Sequence, residues 1–376
     1  MDINDDLSSN ETLLHCRVSR IIQIHPSLNC NLKCKHCYSS SAPGLKNGLD
    51  VGLLINILEQ ASAIGYNVIS MSGGEPFLYK SIEELTRQSK SIGYFNSVTS
   101  NGMLFETSNT KNTLKYLDLV AISIDGKEES HDTMRSHKGA FKKMLQGVEI
   151  LKGEIKNYGF IHTLLPDSWK LLPWLTEFAM DHKAGLLHLH PLEMSGRANQ
   201  NFNGIQFTSN DLHKIYIACH YLKTYYGNDL FIQLDLLHKD NIIDNPNFLF
   251  HQTFKPEFTC ESFSSIFKEL IIDDKGDIFP IAYGCSPFFK IGNIASIRKL
   301  SEMIEFFMEK KMDSMIRLFN DTYFEIVNHK DFEIFNWSER IIANSRFFDN
   351  EIDNTKMNKK EEGYSIYVDE GLNVLG

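Results

Sequence analysis

The sequence predicts an α/β protein built from six βα units that form an open, partial (β/α)6 barrel. Short β-branched and apolar runs alternate with amphipathic segments of helical periodicity, which is the signature of parallel strands joined by helices. Polar, glycine-containing motifs follow the predicted strands, where parallel α/β folds place their ligand sites. Six units are too few to close an eight-stranded barrel, so we expect an open one.

The apolar runs predict strands at residues 20–25, 67–72, 95–100, 119–124, 158–163 and 186–190. Apolar residues at helical spacing predict helices at 51–64, 81–92 and 139–153. Further along, the same criteria predict a helix at 208–226, a strand at 229–236, and helices at 296–318 and 333–344. We therefore divide the chain into an N-terminal segment (1–18), a core domain (19–235), an α+β extension (236–346) and a polar tail (347–376).

Composition excludes several classes of protein. The 376 residues are 42% hydrophobic and 23% charged, and they contain no run of about eighteen apolar residues and no apolar leader, so we expect no membrane partner. A formal net charge of −10 argues against nucleic acid as the main partner. Seven cysteines, three of them clustered, suit a reducing compartment, so we expect a cytoplasmic protein.

The most informative motif is a C-x3-C-x2-C cluster formed by Cys30, Cys34 and Cys37. Three thiolates suit an iron–sulfur cluster, in which a four-iron cluster would keep one iron open to a small molecule. Zinc is the alternative, and it would need a fourth ligand such as His25, His36 or a distant cysteine. Inert buried cysteines are the third interpretation. The spacing alone leaves these three interpretations open.

A second motif, GGEP, places Gly73, Gly74, Glu75 and Pro76 directly after the predicted strand 67–72. The glycines allow close approach of the backbone to a ligand, and the Glu75 carboxylate can accept a hydrogen bond from an ammonium group. Combined with the cysteine cluster, this motif resembles the radical S-adenosylmethionine (SAM) superfamily. The resemblance implies a [4Fe-4S] cluster whose open iron binds SAM, and one-electron cleavage of SAM to a 5′-deoxyadenosyl radical that abstracts hydrogen from the substrate.

Other segments within residues 18–200 match the same superfamily. The resemblance implies that His36 packs near the adenine, although a polar loop histidine is the alternative interpretation. TSNG supplies Ser100 and Asn101, and AISIDG supplies Ser123 and Asp125; both motifs resemble the ribose and methionine contacts of the superfamily. A turn alone would also explain either motif.

Two further motifs contain arginine. SHDTMRSHKGAF resembles the H-D-x-x-R-x-x-x-G-[SA]-F signature of the superfamily, and the resemblance implies that Arg135 binds the SAM carboxylate as a fixed fork of donors. HLHPLEMSGRA resembles the segment after the sixth strand, which implies that Arg197 lies near the nucleoside. A surface salt bridge is the alternative role for Arg197.

The extension contains ELIIDDKGDIFP, which predicts a hairpin with an Asp-Lys-Gly turn. This region resembles the SPASM or twitch extension of peptide-modifying radical SAM enzymes. Cys260 and Gly276 match its pattern, but Ile281 stands where the second cysteine belongs. We therefore expect no auxiliary cluster. If one is present, Cys260 and Cys285 are its first candidate ligands.

A SPASM-like extension implies a maturase that modifies a ribosomally made precursor peptide, with side-chain crosslinking of the cyclophane type as the preferred reaction. Thioether formation and epimerisation are alternatives, and a flavodoxin or ferredoxin would supply the electron. An anaerobic sulfatase-type maturase would need a full auxiliary ligand set, which Ile281 argues against. A non-catalytic SAM- or cluster-binding partner protein would not need intact Cys30, Cys34, Cys37 and Glu75.

Overall fold

The computed structural model describes residues 19–155, 157–246 and 263–349. Its strands are β1 (Ile21–Ile24), β2 (Val68–Met71), β3 (Phe95–Ser100), β4 (Leu119–Ser123), β5 (Tyr158–Leu164), β6 (Leu186–Pro191), β7 (Phe231–Leu234), β8 (Leu237–His238), β9 (Glu269–Ile272), β10 (Asp277–Phe279), β11 (Gly292–Asn293) and β12 (Ile334–Phe335). Ten of them form one sheet in the order β11-β10-β9-β1-β2-β3-β4-β5-β6-β7, and β8 pairs with β12.

The central part of the sheet is parallel from β1 through β7, with each strand beside its neighbour in the sequence. All six strands predicted for the core are present, and the predicted strand 229–236 is β7, which adds to the edge beside β6. The two ends of the sheet, β7 and β11, are not paired with each other. The predicted fold class, an α/β protein with a parallel sheet, is confirmed.

The helices are α1 (Val51–Ala63), α2 (Ile82–Ile92), α3 (Ser108–Leu114), α4 (Glu128–Arg135), α5 (Ala140–Glu154), α6 (Leu172–Asp181), α7 (Ala198–Asn201), α8 (Ser209–Tyr226), α9 (Lys239–Asp244), α10 (Phe263–Ile266), α11 (Leu300–Asn328) and α12 (Trp337–Ser345). The predicted helix 296–318 was too short, because buried residues continue at helical spacing to Ile326 in α11. Among the described residues, none of these helices combines the length and the apolar composition that a bilayer span requires.

The two faces of the sheet differ in polarity. Ile22 and Ile24 of β1 are fully buried and pack in the main hydrophobic core with residues of α1. The alternate positions carry polar side chains in register across three strands, Gln23, Ser70 and Ser97, and these are only partly buried. Because side chains alternate between the faces of a strand, the sheet presents an apolar face to the helices and a polar face to the opposite side.

The hairpin predicted for the extension is present as β9 and β10, and it continues the core sheet. β9 lies parallel to β1, with Ile272 opposite Ile24. The Tyr66 hydroxyl donates a hydrogen bond of 2.7 Å to the Phe267 carbonyl and joins the two regions again. The division between core and extension at residue 235 stays a prediction. The N-terminal segment, nearly all of the polar tail and Cys260 lie outside the described residues.

Two glycines of α5 provide a matched test of this packing. A Cβ at Gly147 would lie 2.0 Å from the Gly102 carbonyl oxygen, whereas a Cβ at Gly153 would meet nothing within 4 Å. We expect Gly147→Ala to lower the free energy of unfolding by about 1–3 kcal/mol, because the helix must move away from its neighbour. Gly153→Ala should raise it by about 0.5–1 kcal/mol through helix propensity. Denaturant unfolding of both variants checks this, and shifts in the same direction would contradict the packing.

Candidate functional site

The predicted site motifs meet at one edge of the sheet. The cysteine loop follows β1, GGEP follows β2, Asn101 follows β3, Asp125 follows β4, and the SGRA segment follows β6. Since these strands are parallel, their carboxyl ends lie at the same edge, and the loops that follow them come together there.

The cysteine loop, residues 25–42, carries three free thiols of different exposure: Cys34 is buried, and Cys30 and Cys37 are partly exposed. Burial raises the pKa of Cys30 to about 12 and also raises that of Cys34, so these two thiols keep their protons when no metal is bound. The three sulfurs are not all within 4.8 Å of one another. One zinc ion would need sulfur–sulfur distances of roughly 3.8 Å, given Zn–S bonds of about 2.3 Å. The wider spacing favours a multi-iron cluster over zinc.

The two glycines of GGEP pack against the cysteine loop. A Cβ at Gly74 would lie 2.2 Å from the Asn29 carbonyl oxygen, and a Cβ at Gly73, whose φ is 96°, would lie 3.0 Å from the Ser27 carbonyl oxygen. The Gly74 amide donates to the Ser27 carbonyl at 2.9 Å, and the Glu75 amide donates to the Asn29 carbonyl at 2.9 Å. The glycines thus allow the approach of the chain's own backbone. Their contact with a cofactor stays a prediction.

Glu75 is a buried carboxylate surrounded by donors. The Ser100 hydroxyl donates to its Oε1 at 2.9 Å, and the Asn101 amide donates to its Oε2 at 2.9 Å. The Phe77 amide donates to Oε1 at 3.3 Å, at the start of the short turn that Pro76 opens. Burial raises the pKa of Glu75 to about 7, although these hydrogen bonds lower it. The structure therefore brings together the predicted residues Glu75, Ser100 and Asn101.

A second buried group contains Asp125, Arg135 and His36. Arg135 Nε lies 2.6 Å from Asp125 Oδ2, its Nη1 donates to Cys34 Sγ at 3.6 Å, and His36 Nε2 lies 3.5 Å from Asp125 Oδ1. Burial would raise the pKa of Asp125, but the positive charge of Arg135 lowers it to about 2. Burial lowers the pKa of His36 to about 4, so its ring is neutral. Arg135 is thus paired with Asp125, and its predicted contact with the SAM carboxylate stays a prediction.

The signature around α4 and α5 is explained by local hydrogen bonds. The Asp132 carboxylate accepts the Gly139 amide at 2.5 Å and the Phe141 amide at 2.8 Å, which satisfies free donors at the start of α5. Gly139 adopts a φ of 87°, which favours glycine. His131 Nδ1 accepts the Asp125 amide at 3.2 Å. The motif therefore fixes the turn between α4 and α5 and links it to the end of β4.

The SGRA segment, residues 195–198, clamps the cysteine loop by hydrogen bonds to its backbone carbonyls. Arg197 Nε donates to the Cys34 carbonyl at 3.0 Å, and its Nη2 donates to the Ser41 carbonyl at 2.6 Å. The Arg197 amide donates to the Cys37 carbonyl at 2.9 Å, and a Cβ at Gly196 would lie 2.7 Å from the same oxygen. A surface salt bridge for Arg197 is therefore wrong as an interpretation. Its contact with the nucleoside stays a prediction.

The structure also shows polar residues that sequence analysis missed. Asn101 Nδ2 donates to Asn31 Oδ1 at 2.7 Å, which ties the end of β3 to the cysteine loop, and no motif marked Asn31. His188, His190 and Asp235 form a cluster at the ends of β6 and β7. The alternation in LHLHP was a usable signal, because residues two apart on a strand share a face.

Ser123 ends β4 on the polar face of the sheet. It pairs with Ile161, which in turn pairs with His188, so Ser123 lies in the same row as that histidine. Cys285 of the extension is buried in the main core, and burial raises the pKa of its thiol to about 12. Cys260 lies outside the described residues, so the auxiliary ligand pair stays a prediction.

Comparison with known proteins gives matches to the core. Residues 24–172 match the model of the Radical SAM superfamily. Fe-coproporphyrin III synthase of Methanosarcina barkeri is 26% identical over 260 residues, covering 68% of this chain and 63% of that protein. The sporulation killing factor maturation protein SkfB of Bacillus subtilis is 33% identical over 124 residues, covering 32% of this chain and 30% of that protein. The chain thus spans less than two thirds of the length of these relatives.

Solved structures share the fold. SuiB of Streptococcus suis bound to S-adenosylmethionine superposes with a TM-score of 0.60 at 17% identity, covering 85% of this chain and 75% of that one. SuiB bound to precursor peptide SuiA gives a TM-score of 0.54 at 18% identity, covering 74% of this chain and 67% of that one. At these identities the likeness shows the fold.

The described residues fit a [4Fe-4S] cluster and SAM, the cofactors of this superfamily. The three thiols are free and spread wider than one ion requires. Glu75 is a buried acceptor, and His36 Nδ1 is buried and has no hydrogen-bond partner within the described part of the chain. A bound ligand would satisfy both groups by donating a hydrogen bond to Glu75 and by forming one with His36 Nδ1.

Arg197 provides a test of the clamp. We expect Arg197→Lys to lose iron to a chelator several-fold faster than the wild type, because an ammonium group cannot replace the guanidinium fork that holds two carbonyls. The SAM affinity of the loaded fraction should not change. The matched control is Arg340→Lys, which alters a surface pair with Glu325. Normal iron retention combined with weaker SAM binding would assign Arg197 to the cofactor instead.

Proposed function

We propose that this chain, whose residues 24–172 match the Radical SAM superfamily, is an enzyme that uses a [4Fe-4S] cluster and SAM to abstract hydrogen from a peptide. The observation that carries the proposal is the meeting of the three-cysteine loop with the buried Glu75 carboxylate at one edge of the parallel sheet. A protein that only bound partners would have no need for such a site.

Different residues would hold the cluster and SAM. Cys30, Cys34 and Cys37 would hold the cluster, which with SAM bound supplies a 5′-deoxyadenosyl radical. Glu75 would accept a hydrogen bond from the SAM amino group, since burial raises its pKa to about 7 despite its present donors, and a further donor would stabilise the ionised form. The neutral ring of His36 would pack against the adenine.

Three other predicted residues would complete the SAM site. Ser123 ends β4 and Asp125 follows it, and both would contact the ribose and the methionine part of SAM. Arg135 would orient the SAM carboxylate with its Nη2, since its Nε pairs with Asp125 and its Nη1 donates to Cys34. The polar face of the sheet would receive the substrate, and the covered site would exclude water and oxygen from the radical.

A ribosomally made precursor peptide is the substrate class that we propose. The similarity to SkfB, a maturation protein, and to SuiB with a bound precursor peptide supports this choice. Crosslinking of side chains in a cyclophane is the preferred reaction, with thioether formation or epimerisation as alternatives. We place the enzyme in the cytoplasm, where thiols stay reduced and a flavodoxin or ferredoxin can supply the electron.

A tetrapyrrole is the second candidate substrate. Fe-coproporphyrin III synthase matches over a much longer part of this chain than SkfB does, and this difference favours a porphyrin as the alternative. The two candidates share the cofactors and differ in the molecule that loses hydrogen, so substrate assays separate them.

The first experiment measures the cofactors and the chemistry together. We expect about four irons per chain after anaerobic reconstitution, and none in the Cys30→Ala/Cys34→Ala/Cys37→Ala variant. Reduced wild type with SAM should release 5′-deoxyadenosine, and a precursor peptide should change mass. Cys219→Ala, which alters a buried cysteine of α8, is the control.

Each outcome of this experiment decides one point. If the iron-loaded wild type releases no 5′-deoxyadenosine, the proposed enzymatic activity is refuted. Release of 5′-deoxyadenosine with a changed porphyrin and unchanged peptides would replace the peptide by the second candidate. About eight irons falling to about four would restore the auxiliary cluster and direct attention to Cys260 and Cys285.

The pH dependence of SAM binding tests Glu75. Its raised pKa of about 7 means that the carboxylate is mostly protonated at pH 6 and mostly ionised at pH 7.5. The ionised form accepts hydrogen bonds from SAM, so the affinity for SAM should rise about eightfold as the pH rises over this range. Glu75→Gln should bind SAM more weakly and without this rise, whereas Glu149→Gln, on the surface, should behave as wild type. Equal pH profiles for Glu75→Gln and wild type would contradict the assignment.

A further inference from the structure

A cluster of two histidines and one carboxylate lies outside the residues proposed to bind the cluster and SAM. His188 and His190 alternate along β6, so both side chains lie on the polar face of the sheet. Asp235 follows the end of β7, which runs parallel to β6 with Gln233 opposite His188. Neighbouring strands therefore bring the three side chains to one point.

Their ligand atoms converge. His188 Nε2 lies 2.6 Å from Asp235 Oδ2, and His190 Nδ1 lies 2.7 Å from the same oxygen. All three atoms are within 4.8 Å of one another, and no other group of three His, Cys, Asp or Glu residues in the described chain meets this condition. Two imidazole nitrogens and one carboxylate oxygen are ligands that divalent transition metals prefer.

Neighbouring polar groups orient His190 and Asp235 as metal ligands are usually oriented. His190 Nε2, the nitrogen that faces away from Asp235, lies 3.0 Å from Glu193 Oε1. Gln233 Nε2 donates to Asp235 Oδ1, the second carboxylate oxygen, at 3.0 Å. A ligating histidine typically donates its other N–H to a carboxylate, which fixes its tautomer and its ring orientation.

The cluster is accessible, and its neighbour Glu193 is close in sequence to the segment that holds the cysteine loop. The side chains of His188, His190 and Asp235 are 21%, 27% and 28% exposed, so an ion can enter from solvent. Glu193 is two residues before Ser195, whose hydroxyl donates to the Tyr38 carbonyl of the cysteine loop at 3.0 Å. Glu193, which contacts His190, therefore lies two residues from the segment that holds the cysteine loop.

We propose that His188, His190 and Asp235 bind one divalent transition-metal ion of the zinc class, with Glu193 as a positioning residue. Three protein ligands leave at least one coordination position open, as in catalytic zinc sites. An oxygen or sulfur donor of a substrate would occupy that position. Metal binding itself does not depend on the proposed function.

Zinc alone is the probe for the test. The anaerobically reconstituted wild type is equilibrated with Zn²⁺, dialysed against metal-free buffer, and analysed for zinc and iron by mass spectrometry. We expect one zinc per chain beside an unchanged iron content. His188→Gln and Asp235→Asn should retain less than a tenth of this zinc, because each loses a ligand atom while similar side-chain volume remains. The matched control is His213→Gln, since His213 Nε2 also faces a carboxylate, that of Glu333, at 3.0 Å.

The zinc affinity of one further variant, Glu193→Gln, separates a metal site from an ordinary network of ion pairs. Competition with a zinc-binding dye should show that Glu193→Gln weakens zinc binding by about 10- to 100-fold. The proposal is overturned if wild type retains no zinc, or if His188→Gln and Asp235→Asn retain as much zinc as wild type and His213→Gln do. It is also overturned if the zinc survives in His188→Gln and disappears in the Cys30→Ala/Cys34→Ala/Cys37→Ala variant, because the ion then belongs to the cysteine loop.

Discussion

The site depends on the shape of one irregular segment, the cysteine loop between β1 and α1. Within itself the loop has one isolated bridge, between Asn29 and Ala42, so many of its backbone groups must bond to other segments to hold the three thiols in place. Gly74 and Glu75 donate their amides to carbonyls of the loop, and Arg197 holds it from the opposite side. The side chains of Ser39 and Ser41 donate to the Gly73 carbonyl at 3.2 and 3.1 Å. The motifs that follow β2 and β6 are thus parts of one scaffold.

Buried charge is the second constraint on the site. Asp125 and Arg135 are both buried, and each offsets the cost of removing the other from water. Glu75 is treated differently: three hydrogen bonds hold it, yet burial still raises its pKa to about 7. The protein therefore leaves this carboxylate incompletely compensated, and a donor group on a ligand would complete its environment. This difference separates a structural pair from a group prepared for binding.

The extension supports the loop by packing. β9 adds to the sheet beside β1, and Tyr283, in the following segment, stacks on His25 with ring centroids 4.2 Å apart. Tyr38 of the cysteine loop lies edge-on to the same two rings. The extension can therefore support the cysteine loop even though its predicted ligand pattern lacks a cysteine at Ile281, since its aromatic side chains pack at the end of β1 and against the loop.

The sequence by itself determined the parallel α/β fold, the cysteine cluster and the motifs at the strand ends, because period, glycine position and cysteine spacing are local properties of the chain. It did not determine what those motifs touch. Gly74 contacts the chain's own loop, Arg197 holds backbone carbonyls, and β9 joins the core sheet. These contacts join residues far apart in the chain, and only the tertiary structure decides them. The cluster of His188, His190 and Asp235 is of the same kind: the alternation in β6 was readable, but its carboxylate comes from another strand.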